Sequence, residues 1–211
     1  MAFVTGSHET ILIGITGGIG SGKSTVGRFW SSHYNLPLLD LDAMCRLLLE
    51  QGEPGWAALR ALLDGSFFTA AGELDRQRLR SAIFLDEALR SQVNELIHPL
   101  ALQLMQRAVA DLSVPLALAD VPLLYEAGWQ DGFQRIVVVF ADRETCCRRT
   151  VSRDGVSGEE ALRALRSQLS LAEKALLADH VIDNSGCWLR TRLQAVHLAG
   201  LYQRFVSGSP Y

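Results

Sequence analysis

Apolar positions change period abruptly near the start of this chain. Residues 11–15 read Ile-Leu-Ile-Gly-Ile, a short apolar run ending in glycines, the pattern of a strand buried on both faces. From residue 24 to 33 the apolar positions Val26, Phe29 and Trp30 recur at helical spacing, so a helix is predicted. Four further strand-length runs cover residues 36–39, 115–118, 135–140 and 180–182. Each leads into an acidic residue: Asp40, Asp120, Asp142 and Asp183. The pattern predicts an α/β fold, a five-stranded parallel sheet flanked by helices. Its polar residues gather at the carboxyl ends of the strands, where open sheets of this class bind ligands.

Between the second and third runs, residues 43–112 hold Leu74, Leu79, Ile83, Leu89, Val93, Leu96 and Ile97, mostly at helical spacing. A crossover needs only about a dozen residues. The surplus predicts a helical subdomain at 43–112, inserted into a core made of residues 1–42 and 113–211. The proline of His98-Pro99 is expected to end a helix spanning 91–97. A closing helix is expected over 188–206, with Leu189, Leu193, Val196, Leu198, Leu201 and Tyr202 on its apolar face.

Composition narrows the classes. The 211 residues suffice for one domain carrying an insertion. A formal net charge of −3 argues against broad nucleic-acid binding and implies no acidic tail. No apolar run is long enough to cross a membrane, and the first ten residues carry no signal-peptide pattern. Cys45, Cys146, Cys147 and Cys187 form no Cys-x-x-Cys pair, so reduced thiols in a cytoplasmic protein are expected.

The chemistry begins where the first strand ends. Gly17, Gly22, Lys23 and Ser24 fill the pattern Gly-x-x-x-x-Gly-Lys-Ser between a predicted strand and a predicted helix. Such a P-loop wraps its backbone N–H groups around phosphate and adds the positive end of the following helix. Lys23 is placed to reach the β- and γ-phosphates of ATP, and the Ser24 hydroxyl to bind Mg²⁺. The loop predicts a P-loop NTPase fold and a nucleotide, without fixing the reaction. An Asn-Lys-x-Asp base-recognition segment is absent, which disfavours a GTPase switch.

Asp40 and Asp42 flank Leu41 after the second run. Leu38-Leu39-Asp40-Leu41-Asp42 reads as the end of that strand, so both carboxylates are expected to point the same way, one suited to accept a proton and the other to hold the metal's water shell. The alternative is a solvated strand end in which Asp42 caps the next helix. Asp120 is a second candidate for the metal shell, or a satisfied turn residue. Beyond the fourth run, Arg149 and Arg153 share a helix face, suited to neutralising a transferring phosphoryl group. Gly155 and Gly158 make the segment of about 143–170 a candidate lid. His98 reads on these grounds alone as structural, and Trp56 and Trp129 as packing residues.

Several motifs then fall into one order. Residues 14–26 (Gly-Ile-Thr-Gly-Gly-Ile-Gly-Ser-Gly-Lys-Ser-Thr-Val), Asp40-Leu41-Asp42, Gly72-Glu73-Leu74-Asp75-Arg76, Ile97-His98-Pro99, and Pro122-Leu123-Leu124-Tyr125-Glu126 precede the arginine segment. Gln168, Glu173-Lys174 and residues 178–184 follow it. In this succession the chain resembles the dephospho-coenzyme A kinases over nearly its whole length. The resemblance implies transfer of the γ-phosphate of ATP to the ribose 3′-hydroxyl of dephospho-coenzyme A, the last step of coenzyme A synthesis. It implies Asp42 as base, with Lys23 and Arg149 also catalytic. Gly18, Ile19, Gly20, Ser21, Gly22, Lys23, Ser24, Thr25, Arg149, Arg153 and Asn184 would hold ATP. Asp40, Arg76, His98, Pro122, Leu123 and Glu126 would hold the acceptor, and Ser24 and Asp120 would hold Mg²⁺. The helical insertion becomes the acceptor-binding part, and a monomer or small homo-oligomer is expected. Cys146 stands where many members have glutamine, Leu41 replaces a small residue, and residues 63–68 lack a common Phe-Gly step. A shikimate kinase also pairs a P-loop with Asp-x-Asp, but its later Gly-Gly-Gly turn is absent here. A non-catalytic nucleotide-binding regulator would have little use for Asp42, Lys23 and Arg149 together.

Overall fold

The computed structural model describes residues 10–207; residues 1–9, part of the stretch without a signal-peptide pattern, lie outside them. Five strands form one parallel sheet: β1 (Ile11–Gly17), β2 (Leu38–Asp40), β3 (Leu116–Asp120), β4 (Arg135–Phe140) and β5 (His180–Asp183). Their order, β2-β3-β1-β4-β5, puts β1 at the centre. The glycine-rich loop therefore leaves the middle strand between Asp120, which ends β3, and the segment that follows β4. No helix among the described residues is long and apolar enough to cross a membrane.

The chain divides into two compact units. The first comprises the described chain up to Asp40 and from Val109 onward, and holds the whole sheet. Ile13, Ile15, Val137 and Val139 are fully buried and pack with Val26 and Trp30 of helix α1 (Lys23–Tyr34). Ala195, Leu198, Ala199 and Tyr202 of the closing helix, Trp188–Ser207, complete that core. The Trp30 Nε1–H donates to the Ala195 carbonyl at 2.7 Å, so the buried indole keeps its polar group satisfied. Leu189 and Leu193, expected on the apolar face, are instead 63% and 62% exposed. On the other face of β1, Gly14 leaves room that the side chains of Leu124 and Phe133 occupy.

The second unit, Leu41–Ala108, is helical: α2 (Leu41–Leu48), α3 (Pro54–Leu62), α4 (Arg76–Leu85) and most of α5 (Glu87–Ala110). Its core gathers Leu59, Leu63, Phe68, Leu74, Leu79, Val93 and Ile97. Trp56 packs edge-on to Phe68 and donates its indole N–H to the Gly72 carbonyl at 3.0 Å, the packing role read from the sequence.

Two local expectations are corrected here. The second strand stops at Asp40, and Leu41, 7% exposed, opens α2. Asp42 thus lies in the first turn of a helix, where a carboxylate suits the positive helix end, and strand alternation does not align it with Asp40. Nor does Pro99 end a helix, because α5 runs through it. An interior proline costs about 3 kcal/mol or more. Beyond it Ala101, Met105 and Val109 are at most 1% exposed, and burying side chains of that size returns about 1.5–3 kcal/mol for each of the larger two.

Candidate active site

The loop from Gly17 to Gly22 is shaped by what its glycines leave out. Gly20 and Gly22 have φ of 76° and 90°, the left-handed region that glycine enters without cost. A Cβ on Gly20 would lie 2.4 Å from the Cys146 carbonyl oxygen, and one on Gly22 would lie 2.2 Å from the Asn184 Nδ2. The loop is therefore pressed against two later segments of the chain. Gly22 is the residue before α1, so the first N–H groups of that helix open onto the loop.

One flank of the loop is braced from beyond β4 and β5. Helix α6 (Arg143–Asp154) starts from Asp142, whose carboxylate accepts from the N–H and the hydroxyl of Thr145. Those bonds hold the Asp142 carboxyl below its ordinary pKa. Two turns into α6, Arg149 donates from Nη1 to the carbonyls of Gly20 and Ser21, both at 3.4 Å, and from Nη2 to the Asn184 carbonyl at 2.9 Å. Asn184 is 6% exposed. Its Nδ2 donates to the Ser21 carbonyl at 2.7 Å, while its Oδ1 accepts from Thr191 at 2.8 Å. The Asn184 side chain thus holds the loop itself.

The other flank faces β3. Lys23 and Asp120 are 8% and 5% exposed and form an ion pair, so the loop lysine rests on the carboxylate at the end of β3. The Thr16 hydroxyl donates to the Pro122 carbonyl at 3.3 Å. That carbonyl also accepts, at 3.1 Å, from Lys174 on α8 (Leu171–Leu177), the helix that follows α7 (Gly158–Arg166). Lys174 is fully buried and pairs with Glu126 at 2.8 Å. Glu126 in turn accepts the Leu169 N–H at 3.0 Å. Beside Leu169, the Gln168 Oε1 accepts the Ile19 N–H at 3.1 Å.

Residues 11–189 match the family model described as dephospho-CoA kinase. The chain belongs to the dephospho-CoA kinase family. It is 36% identical over 197 residues to the dephospho-CoA kinase of Yersinia pseudotuberculosis serotype I, covering 93% of this chain and 94% of that protein. Among solved structures it is similar to TT1252 from Thermus thermophilus, with TM-score 0.81, 33% identity, and coverage of 93% of this chain and 98% of that one. Shikimate kinase from Bacteroides thetaiotaomicron shares the fold at 15% identity and TM-score 0.51, over 92% and 98% of the two chains. The P-loop kinase fold read from the sequence is therefore the fold of this chain.

Within the family's expected site, the first unit brings together Gly18 to Thr25, Asp120, Pro122, Glu126, Arg149 and Asn184 through the contacts above. Asp40 ends β2, exposed, in register with Asp120. Arg153 does not join them: its guanidinium makes two bonds to Asp154, at 2.7 and 2.8 Å, and its side chain is 63% exposed. Leu123 is 39% exposed. Glu126 was expected to hold the acceptor, yet its carboxylate is engaged by Lys174 and Leu169. Three of the expected residues belong to the second unit. Asp42 is exposed on α2, Arg76 starts α4 and donates to the Arg46 carbonyl at 2.9 Å, and His98 lies half-buried in α5. Burial holds the His98 imidazole below its usual pKa. Cys146 is buried against the Ala141 carbonyl, and burial pushes its thiol up to about 11. Lys174 and Thr16 fall within motifs read from the sequence but had no site role, because Glu126 and Pro122, their partners, lie far away along the chain; Thr191, which holds the nearby Asn184, lies in no motif.

Proposed function

We propose that this chain transfers the γ-phosphate of ATP to the ribose 3′-hydroxyl of dephospho-coenzyme A, giving coenzyme A and ADP. The family match over residues 11–189, with a complete phosphate loop inside it, carries the reading. In the transfer, the acceptor oxygen forms the new bond to phosphorus and its proton passes to a carboxylate, assigned here to Asp42. The bond from the γ-phosphorus to the bridging oxygen breaks, and its electron pair leaves with ADP. Lys23 would turn from Asp120 to the β- and γ-phosphates. The loop amides from Gly20 to Thr25 would hold the phosphate chain, while Arg149 and Asn184 keep the loop in shape. Asp40, Arg76, His98, Pro122 and the insertion are assigned to the acceptor side, and Arg153 to the lid.

A Mg²⁺ ion suits the donors available. The Ser24 hydroxyl, at the start of α1, and the buried Asp120 carboxylate are hard oxygen ligands of the kind this ion takes together with substrate phosphates. When bound, the ion would neutralise charge on the phosphates. Four free thiols fit a reducing cytoplasm.

The test is ADP release with ATP and Mg²⁺, with and without dephospho-coenzyme A, with shikimate as control acceptor. Stimulation by dephospho-coenzyme A alone is expected, and Asp42→Asn should bind ATP but lose most of kcat. Equal stimulation by shikimate, or none by either acceptor, would sink the reading. Near-normal turnover of Asp42→Asn would remove Asp42 as base.

A further inference from the structure

The amides of a phosphate loop are the groups that meet phosphate, yet here one of them meets a side chain. The Ile19 N–H donates to the Gln168 Oε1 at 3.1 Å. Because the loop supplies a hydrogen there, the carboxamide must present its oxygen, and the NH₂ end is directed elsewhere. On a planar carboxamide the nitrogen lies about 2.2 Å from the oxygen. Two N–H donors thus sit against the entering half of the loop. Among the described residues the Gln168 Nε2 donates to none, and the residue is half-buried.

The placement is built. Gly18 lies beside it: a Cβ there would meet the Gln168 Oε1 at 3.6 Å and Leu171 at 3.3 Å. The neighbouring residues fix the backbone, since the Leu169 N–H is held by Glu126, itself held by the buried Lys174. Ser170 and Glu173 close a capping box at the start of α8. A cavity of about 580 Å³ adjoins it, which Gln168 and Gly18 line together with Phe140, Asp142, Cys146 and Leu171.

A phosphate chain running outward from the start of α1 would set Ser24 and Thr25 toward the nucleoside and Gly18 and Ile19 toward the terminal phosphate. Gln168 is tied to the turn after β3 through Leu169 and Glu126, whereas Asn184 braces the loop from the β5 side. Gln168 therefore stands between the loop and the β3 turn. We infer that Gln168 is a catalytic residue, whose Nε2 donates to an oxygen of the γ-phosphoryl group while its Oε1 stays on Ile19.

The inference rests on the kinase reading above. Gln168 forms no covalent bond in the transfer. It adds a neutral donor to equatorial oxygens whose charge grows as the phosphoryl group moves, a role in which one donor is worth on the order of 10²–10³ in rate. A neutral amide does this without competing for Lys23.

Two variants separate its ends. Gln168→Glu keeps an oxygen for Ile19 and loses the donor. Gln168→Met, of similar length, loses both and adds no charge. Affinities for ADP and for the imido analogue of ATP, whose γ-phosphate cannot be transferred, are measured by calorimetry without acceptor. The expected result is ADP affinity within about threefold of wild type in both variants, and a preference for the γ-phosphate reduced at least about fivefold in both. With dephospho-coenzyme A, kcat should fall by about 10²-fold or more. An unchanged preference in Gln168→Met would overturn the donor role, whatever Gln168→Glu does. Equal losses of both nucleotides, with a lowered melting temperature, would also overturn it and leave a brace. If wild type ignores dephospho-coenzyme A while the nucleotide preference still shifts, the acceptor reading fails and the Gln168 contact stands.

Discussion

Gly20 and Gly155 share a backbone conformation and differ in what surrounds them, so together they measure how tightly the phosphate loop is pressed onto α6. Their φ values are 76° and 68°. In that region an L-residue costs about 1–2 kcal/mol relative to glycine. Alanine at Gly155, which caps α6 with nothing within 4 Å of the new methyl, should cost about that and no more. Alanine at Gly20 meets the Cys146 carbonyl oxygen at 2.4 Å and the Thr150 hydroxyl at 2.9 Å, below the 3.0 Å that real contacts respect. Neither neighbour yields easily. The first is helix backbone, and the second donates to that same carbonyl at 2.8 Å. Forced displacement of this kind adds about 1–3 kcal/mol. At about 2–4 °C per kcal/mol for a chain of this size, Gly155→Ala should lower Tm by about 2–8 °C and Gly20→Ala by about 4–20 °C. Thermal unfolding followed by circular dichroism reads both, and calorimetry with ADP should show at least about a tenfold loss for Gly20→Ala. If Gly20→Ala melts with Gly155→Ala and binds ADP as wild type does, the loop is not held against α6 as described.

Lys174→Met leaves the Pro122 carbonyl without its lysine and Glu126 with Leu169 and solvent. Breaking a buried pair costs about 3–5 kcal/mol, but Glu126 remains 24% exposed, so about 2–3 kcal/mol is expected from urea unfolding. The double variant with Glu126→Gln should be less destabilised than the sum of the single variants, and strict additivity would deny the coupling. His98 gives a pH signature. Its folded pKa lies below 6.5, so the stability tied to its neutral form is complete above about that pH and is lost as pH falls through the lowered value. Urea midpoints of wild type should therefore drop between pH 7 and 5 more than those of His98→Gln, and parallel curves would count against burial of the imidazole.

The sheet and the loop were legible because their signals are local. Residues 135–140 and the span 17–24 carry their identity in consecutive letters, and β4 is found over Arg135–Phe140. Asp42 was misread for the same reason. Asp-Leu-Asp alternates like a strand, and only the burial of Leu41 at the start of α2 shows that the strand has ended. Pro99 was read by its intrinsic cost, and the buried Met105 and Val109 farther along α5 outweigh that cost. The pairing of Glu126 with Lys174 was not legible, because Lys174 arrives on another helix. Leu189 and Leu193 fit a helical period, but period alone does not say how wide a stripe the core covers.

The bonds around the phosphate loop follow a rule of sign. Phosphate repels carbonyl oxygens and attracts N–H groups, so a loop ready to bind it should have its carbonyls occupied from outside. Arg149 and the Asn184 amide do this for Gly20 and Ser21, and Ser21 and Thr25 donate from their N–H groups to the carbonyls of Gly18 and Gly22. Arg149 thereby keeps its charge close to the loop and two of the loop's carbonyl oxygens engaged. The Ile19 N–H departs from the rule, because a side chain takes it before any phosphate does. A glutamine is the residue for such a place. It satisfies the amide with its oxygen and offers two N–H donors in exchange, so the loop gives up one donor of its own and gains a pair on the side chain bonded to it.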